Sequence, residues 1–153
     1  MNARALILLA VVLVTAADRR LIAATPAEID ADAAYAAALG FAAEQLVEGE
    51  TTVCVALGEK DPSDGFLKQI DYSGTLRKAS ECRTSGKGAW VRASEKPALW
   101  LGTHSIDRVS PDEIWVEVRY IRTDVKRGIR QYRVVRKSTA WVTLGQVIKD
   151  SPL

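Results

Sequence analysis

The stretch that decides the fold is residues 112–148, which read DEIWVEVRYIRTDVKRGIRQYRVVRKSTAWVTLGQVI. Apolar and polar side chains alternate along most of it, and Val, Ile, Tyr and Trp are frequent. A period of two is typical of β-strands with one buried face. The pattern predicts a three-stranded antiparallel meander made of Ile114–Thr123, Gly128–Lys137 and Ala140–Ile148. Such a meander needs a cover for its apolar face.

The register of the meander can be predicted because a slip of one residue turns every side chain to the other face. We expect Val118 opposite Tyr132 and Val134 opposite Val142. The other face then carries a continuous cross-strand row of three apolar residues, Trp115, Val135 and Trp141. A row with two indoles is too apolar for ordinary sheet surface. It fits a second small core, a homodimer contact through the sheet, or a ligand platform.

The cover is predicted upstream, in an alanine-rich helix. The segment Thr25–Glu28 offers a capping threonine, a proline in the first helical position and a glutamate that completes a capping box. The helix should continue to about Val47. Thr51–Leu57 is a predicted strand, and Asp61–Asp64 is predicted to cap a second, shorter helix that continues to about Ile70. The fold class is therefore α+β, with a long N-terminal helix and a short second helix packed on a curved antiparallel sheet that ends in the meander.

The N-terminus has the three regions of a secretory signal peptide. Met1–Arg4 carries a positive charge, Ala5–Val14 is an unbroken apolar run, and small residues follow. The run is too short to span a bilayer. We expect residues 1–17 to be the signal, 18–24 a tether and 25–150 a single domain, in a periplasmic or secreted protein without a transmembrane span after signal removal. The main alternative is an uncleaved N-terminal anchor.

The chain has two cysteines, Cys54 and Cys82. Export would place them in an oxidising compartment, where two cysteines of one chain are expected to pair. A bridge between them would contribute roughly 3–4 kcal/mol by the chain-entropy estimate. The alternative is two free thiols. Because the chain has no Cys-x-x-Cys motif and a single histidine, we expect no metal site and no cofactor.

The charge of the chain is nearly balanced, at +2. Eight basic residues nevertheless fall between Arg119 and Lys137, against one acidic residue, Asp124. Alternation sends them to both faces of the sheet and into a turn, so they form no single stripe. The pattern favours a solvated, partly paired surface, with Glu117 neutralising Arg133. We expect no nucleic-acid partner.

Candidate polar groups for a site are few. His104 is the single histidine, and Asp107 would lie on the opposite strand face, where it cannot orient that ring. Tyrosine and glutamine side chains on the side of the buried valines could line a cavity between helix and sheet. The predicted pocket set consists of Tyr35, His104, Tyr120, Tyr132 and Gln146. No catalytic residue is assigned.

The order of elements, from a capped helix through a strand and a second helix to a closing meander, resembles the nuclear-transport-factor-like and cystatin-like α+β folds, as in small uncharacterised exported bacterial proteins. The closing Tyr132–Lys137 and Trp141–Leu144 are similar to the last hairpin of many such domains. The resemblance covers most of Thr25–Ile148. It implies functions that range from isomerases and dehydratases to ligand binders and non-catalytic assembly modules.

Three functional hypotheses follow. The first is an exported non-catalytic binding or interaction domain that holds a partner protein or a small apolar ligand between helix and sheet. The second is a small cavity-type isomerase, dehydratase or hydrolase-like enzyme that uses tyrosine and His104. The third is an inhibitor or immunity-type protein that docks through Lys87–Lys96 or the basic turn. A homodimer through the sheet is compatible with the first.

Overall fold

The computed structural model of the protein describes residues 31–123 and 126–152. The class is α+β, as predicted, with helices packed on a curled sheet that is antiparallel over most of its width. The predicted signal peptide, the tether and the capping segment Thr25–Glu28 lie outside the described residues.

The elements follow one another from a long helix to a run of long strands. In chain order they are α1 Ala31–Leu46, β1 Thr52–Leu57, α2 Asp64–Leu67, β2 Thr75–Lys78, β3 Cys82–Ser85, β4 Gly88–Val91, β5 Leu99–Ser110, β6 Glu113–Ile121, β7 Arg127–Lys137 and β8 Ala140–Pro152. Six strands form one sheet in the order β2-β1-β5-β6-β7-β8, and β3 and β4 form a separate hairpin.

The sheet is not antiparallel throughout, which corrects the prediction at one end. Strand β1 pairs in parallel with both β2 and β5, whereas β5, β6, β7 and β8 are joined by antiparallel pairs. Parallel neighbours need a crossover connection, and α2 belongs to the one between β1 and β2. The antiparallel part has four strands, because the twelve-residue β5 pairs with β6.

Helix α1 packs on the concave face of the curled sheet. Eight of its sixteen residues are alanine, and only Asp32, Glu44 and Gln45 are exposed. A helix that is apolar on nearly every side is expected to be buried on more than one of them. Its buried side packs on the sheet residues Val53, Val55, Leu99, Leu101, Ile114, Val116, Val118, Tyr132 and Val134.

The predicted register between β6 and β7 is wrong by two residues. Tyr132 lies opposite Val116 instead of Val118, and Val118 lies opposite Arg130. A shift of two leaves each side chain on its own face. The buried face of both strands is therefore the predicted one, although the partners differ.

The predicted register between β7 and β8 is also wrong, and here the faces change. Val134 lies opposite Thr143 instead of Val142, and the pairing shifts again beyond that point. Such irregularities are β-bulges, which add a residue to one strand and bend it. Gly145 has a φ of 148°, a conformation that glycine tolerates.

The register of β8 breaks up the predicted row of Trp115, Val135 and Trp141. Trp141 packs against the main core on the side of α1, whereas Trp115 lies opposite Arg133 on the outer face. Val135 lies opposite Val142. A self-association surface through these three residues stays a prediction, but the continuous row on which it was based is wrong. The alternation of β8 does not reveal which of its two faces turns inward.

The predicted disulfide is confirmed. Cys54 in β1 and Cys82 at the start of β3 are bonded, with their α carbons 6.3 Å apart. Around the bond lies a second small core, which contains Val91, Ala98 and the half-buried Trp100. Because successive side chains of a strand point to opposite faces, Cys54 faces away from the main core that holds Val53 and Val55. The disulfide therefore attaches the β3–β4 hairpin to the outer face of the sheet.

The second helix is shorter than predicted. Ser63 is its N-cap and accepts a hydrogen bond from the backbone amide of Phe66. Asp61, which was expected to help cap the helix, accepts from the backbone amide of Ser80 instead. Hydrogen bonding from the Ser80 side chain, and then from its backbone amide, lowers the pKa of the Asp61 carboxyl group. After the four-residue α2, tighter turns carry the chain through Gln69 and Ile70.

Candidate functional site

A cleft of about 520 Å³ lies beside α1 in the described part of the chain. One wall is a face of α1, the second is the turn and first residues of β8, and the third is the short segment that follows α2. A volume of this size lies within the usual range of small-molecule sites. The lining residues are Ala33, Ala36, Ala37, Gly40, Phe41, Glu44, Gln69, Asp71, Thr139, Ala140, Trp141, Val142 and Thr143.

The wall that α1 provides is made of very small side chains. Ala33, Ala36, Ala37 and Gly40 recur at the spacing of three and four residues that places them on one helical face. Since none of them extends beyond a methyl group, the neighbouring elements are kept apart by other contacts and space remains between them. The alanine-rich composition that lets α1 pack closely on the sheet also leaves the space that forms the cleft.

Two aromatic side chains close the apolar part of the cleft. Phe41 belongs to α1 and Trp141 to β8. Behind them, the ring of Phe41 meets the buried ring of Tyr132 edge to face, with 5.8 Å between the centroids. This is a favourable geometry for aromatic pairs. Because both lining aromatics also pack on the main core, their positions are fixed by the fold.

The rim of the cleft is polar, and the two ionisable side chains that the described residues contribute to it are carboxylates. Glu44 extends from α1 and Asp71 from the segment after α2. The Oε1 atom of Glu44 accepts hydrogen bonds from the backbone amide and the hydroxyl group of Ser73, each 3.2 Å long. Gln69, Thr139 and Thr143 supply neutral polar groups. The cleft therefore combines an apolar interior with an acidic rim.

The structure does not bring the predicted pocket residues together at this cleft. Tyr132 and Tyr120 are buried in the core, and only Tyr132 approaches the cleft, through Phe41. The guanidinium group of Arg130 lies over the ring of Tyr120, 5.5 Å from its centroid. Tyr35 lies on α1, where burial and then the charge of Asp32 raise the pKa of its hydroxyl group.

Gln146 and His104 are both exposed. Gln146 lies opposite Tyr132 in the pairing of β7 with β8. His104 occupies an irregular position of β5, between the paired residues Thr103 and Ser105, and its Nε2 atom is 3.0 Å from a guanidinium nitrogen of Arg119. In the part of the chain that the structure describes, none of the five predicted pocket residues is among those that line the cleft.

The enzyme hypothesis gains no geometric support from His104. Its described polar contact is the guanidinium group of Arg119, 3.0 Å from Nε2. Ser105 beside it is hydrogen-bonded to Glu117, and the imidazole is not part of that bond. The enzyme hypothesis stays a prediction, and the described contacts of His104 do not add support to it.

The outer face of the sheet is polar, and its charges are paired differently from the prediction. Arg133 forms two hydrogen bonds with Glu113, 2.9 and 2.8 Å long, instead of one with Glu117. Glu113 also accepts from the indole of Trp115. The hydrogen bond from Arg133 is the largest cause that holds the pKa of the Glu113 carboxyl group below its usual range.

A second ionic cluster is buried and joins distant parts of the chain. The side chains of Arg122 and Glu50 are only 7% and 6% exposed, with 3.8 Å between Nε and Oε1. Arg122 also donates to Glu48 over 2.8 Å, and Thr123 donates to Glu50 over 3.1 Å. The cluster ties the connection between α1 and β1 to the end of β6, so we interpret it as structural.

The sequence did not predict that Phe41, Glu44 and Asp71 line the cleft. It also did not predict that Trp141 turns inwards. The stripe of small residues along α1 was a usable signal, because it showed where the helix could not fill space. The neighbouring sequence gave no indication that Asp71 lines the cleft. Its position depends on where the chain runs relative to α1 after it leaves α2.

The described residues contain no group of three or more histidine, cysteine, aspartate or glutamate side chains that could hold a metal ion. Nor does any helix in the described ranges have the length and apolarity that a bilayer crossing requires. The chain matches no protein-family model and shows no significant similarity to a curated protein or a solved structure.

Proposed function

We propose that this chain is an exported, non-catalytic binding domain that holds a small apolar ligand in the cleft between α1 and β8. The observation that carries the proposal is the cleft itself, about 520 Å³ in volume, with alanine, glycine, phenylalanine and tryptophan along its interior. Ligand binding is among the functions that the resemblance to nuclear-transport-factor-like and cystatin-like folds implies, and membership of that superfamily is part of the proposal.

The energetic basis of binding is the burial of apolar surface. A ligand that covers Phe41, Trp141 and the alanine face would remove apolar area from water, at about 25 cal/mol for each Å². The walls need little reorganisation, because both aromatics also pack on the core and Glu44 is hydrogen-bonded to Ser73. A largely preformed site loses less binding free energy to ordering than a flexible one.

Export is supported by two features. One is the N-terminal pattern of charge, apolar run and small residues in 1–17. The other is the disulfide between Cys54 and Cys82, since such bonds persist mainly in oxidising compartments. Amino-terminal sequencing of the protein recovered from a periplasmic or secreted fraction would test it, and a chain that retains residues 1–17 would contradict signal cleavage.

The ligand proposal is tested with the neutral apolar fluorophore N-phenyl-1-naphthylamine, whose emission rises in an apolar site. We expect saturable binding to the wild-type protein. The substitution Ala37→Leu places three additional carbon atoms against the cleft and should weaken binding about tenfold, which corresponds to about 1.4 kcal/mol.

The matched control is Ala93→Leu, at an exposed position in the turn after β4. It adds the same atoms outside the cleft and should leave binding unchanged. If the probe does not bind the wild type, or if both variants lose binding equally, the proposed function is wrong.

A second candidate, self-association, is favoured by the exposed apolar side chains of the edge strand β8. Leu144 is 47% exposed, and Val142 and Val147 are exposed beside it. A long apolar edge strand is a template for pairing with another chain. We propose that a homodimer, if the protein forms one, pairs through β8 and not through the predicted tryptophan row.

Light scattering after size-exclusion chromatography tests the second candidate. A dimer that becomes a monomer with Leu144→Lys would support pairing through β8, because a charge at that edge disfavours it. A wild-type protein that remains a monomer at high concentration would exclude this candidate. A dimer that Leu144→Lys leaves intact would place the contact elsewhere.

A further inference from the structure

We infer that the ligand of the cleft is a small organic cation: an apolar body, aromatic or short aliphatic, that carries one protonated amine. This inference rests on the proposed function, since it assigns the chemical class of the molecule that the same cleft would hold. The observations behind it are the charge of the rim, the nature of the walls and the size of the space.

The charge of the rim is negative although the chain as a whole is slightly positive. Among residues 31–123 and 126–152, the ionisable residues that line the cleft are Glu44 and Asp71, and no lysine, arginine or histidine of these ranges lines it. Within residues 31–123 and 126–152, neither carboxylate forms an ion pair with a basic side chain. An ammonium group at the rim would therefore find negative charge that the described part of the protein does not neutralise.

The fold holds one carboxylate of the rim and the backbone that carries the other. The Glu44 carboxylate accepts the two hydrogen bonds from Ser73. The backbone of Asp71 lies directly against Gly40, where an added β carbon would be 2.7 Å from the Asp71 carbonyl oxygen. Because the Glu44 carboxylate is already positioned, a cation at the rim would not have to order that side chain.

The walls also favour a cation with an apolar body. Trp141 and Phe41 present aromatic surface, and a positive group over the face of such a ring is attracted by its electron density. An anion is disfavoured by the same rings and by both carboxylates. The narrow alanine face accepts a flat or thin apolar body, which the ammonium group would orient towards the rim.

The test uses three probes with one apolar body: 1-naphthylmethylamine, 1-naphthylmethanol and 1-naphthoate, titrated at pH 7 by calorimetry. We expect the protonated amine to bind about tenfold more tightly than the alcohol, and the carboxylate to bind most weakly. Raising the salt concentration to about 0.5 M should narrow the difference between amine and alcohol, because exposed charges are screened.

The double variant Glu44→Gln, Asp71→Asn keeps the shape of the rim and should bring the amine to the affinity of the alcohol. The control Glu59→Gln removes one negative charge from an exposed turn outside the cleft and should preserve the preference. Thermal unfolding of each variant verifies that the fold is retained.

The outcomes separate this inference from the proposed function. Equal binding of amine and alcohol to the wild type would overturn the cationic ligand and leave an apolar ligand in place. Absence of binding by all three probes and by N-phenyl-1-naphthylamine would overturn both proposals. Tighter binding of a lysine-containing aromatic dipeptide amide than of the amine would overturn the small-molecule assignment, since the cation would then belong to a peptide partner.

Discussion

The backbone of Asp71 crosses helix α1 at Gly40, so closely that a β carbon on Gly40 would lie 2.7 Å from the carbonyl oxygen of Asp71. This approach positions the segment that forms one wall of the cleft. It also explains why an alanine-rich helix, in which alanine would favour helix formation, has glycine at this residue.

We predict that Gly40→Ala destabilises the protein by about 1–3 kcal/mol, because the added methyl group meets backbone that cannot move without displacing the cleft wall. Chemical denaturation measures the change. The matched control is Gly65→Ala in α2, where the new β carbon would lie 3.7 Å from the Ser63 hydroxyl oxygen, an ordinary contact. Equal stabilities of wild type and Gly40→Ala would contradict the close approach.

The disulfide should stabilise the fold through the loop that it closes. Cys54 and Cys82 are separated by 28 residues, for which the chain-entropy estimate gives roughly 3–4 kcal/mol. We predict that the double variant Cys54→Ala, Cys82→Ala loses stability of this order in denaturant titration. Native protein with two thiols that react with an alkylating agent before reduction would contradict the bond.

Removing one partner of the buried Arg122–Glu50 ion pair should destabilise the fold strongly. Replacing Arg122 with Met leaves the carboxylate of Glu50 in a site where it is only 6% exposed, so we predict a loss of about 3–5 kcal/mol. The control is Arg77→Met, which breaks an exposed pair with Glu81 and should cost at most about 1 kcal/mol. Similar losses for both variants would show that burial does not govern the Arg122 pair.

The Glu113–Arg133 pair should make stability sensitive to acid. The pKa of Glu113 is lowered in the folded protein, so its contribution is present above the pKa of the unfolded chain and is lost as the pH falls through the folded pKa. We predict that Glu113→Gln shows a shallower loss of stability between neutral and acidic pH than the wild type. Parallel curves of unfolding midpoint against pH would contradict this.

The features that the sequence predicted are those with a local physical cause. The alternation of β6 places Ile114, Val116 and Val118 on the buried face, and the composition of α1 makes it helical. The pairing of Cys54 with Cys82 followed from the expected compartment and from the absence of other cysteines. None of these features depends on the exact path of the chain between elements.

The features that could not be predicted depend on strand register and on contacts between distant segments. Whether Trp141 turns inwards is decided by the register of β8 on β7, which pairs Trp141 with Arg136 and Thr143 with the buried Val134, since a register one residue away would turn Trp141 to the other face. Likewise, the position of Asp71 at the cleft depends on its contact with Gly40, thirty-one residues earlier in the chain. The predicted pocket therefore contained the buried Tyr132 but not the residues that line the cleft.

The most direct test of the cleft as a binding site is a two-dimensional NMR titration of isotope-labelled protein with 1-naphthylmethanol, the neutral probe. We predict progressive, saturable shifts of the backbone amides of Ala37, Gly40, Trp141 and Thr143, and of the Trp141 indole, while the amides of the β3–β4 hairpin stay unchanged. Saturable shifts confined to residues outside the cleft, or none at all at saturating probe, would contradict the proposed binding site.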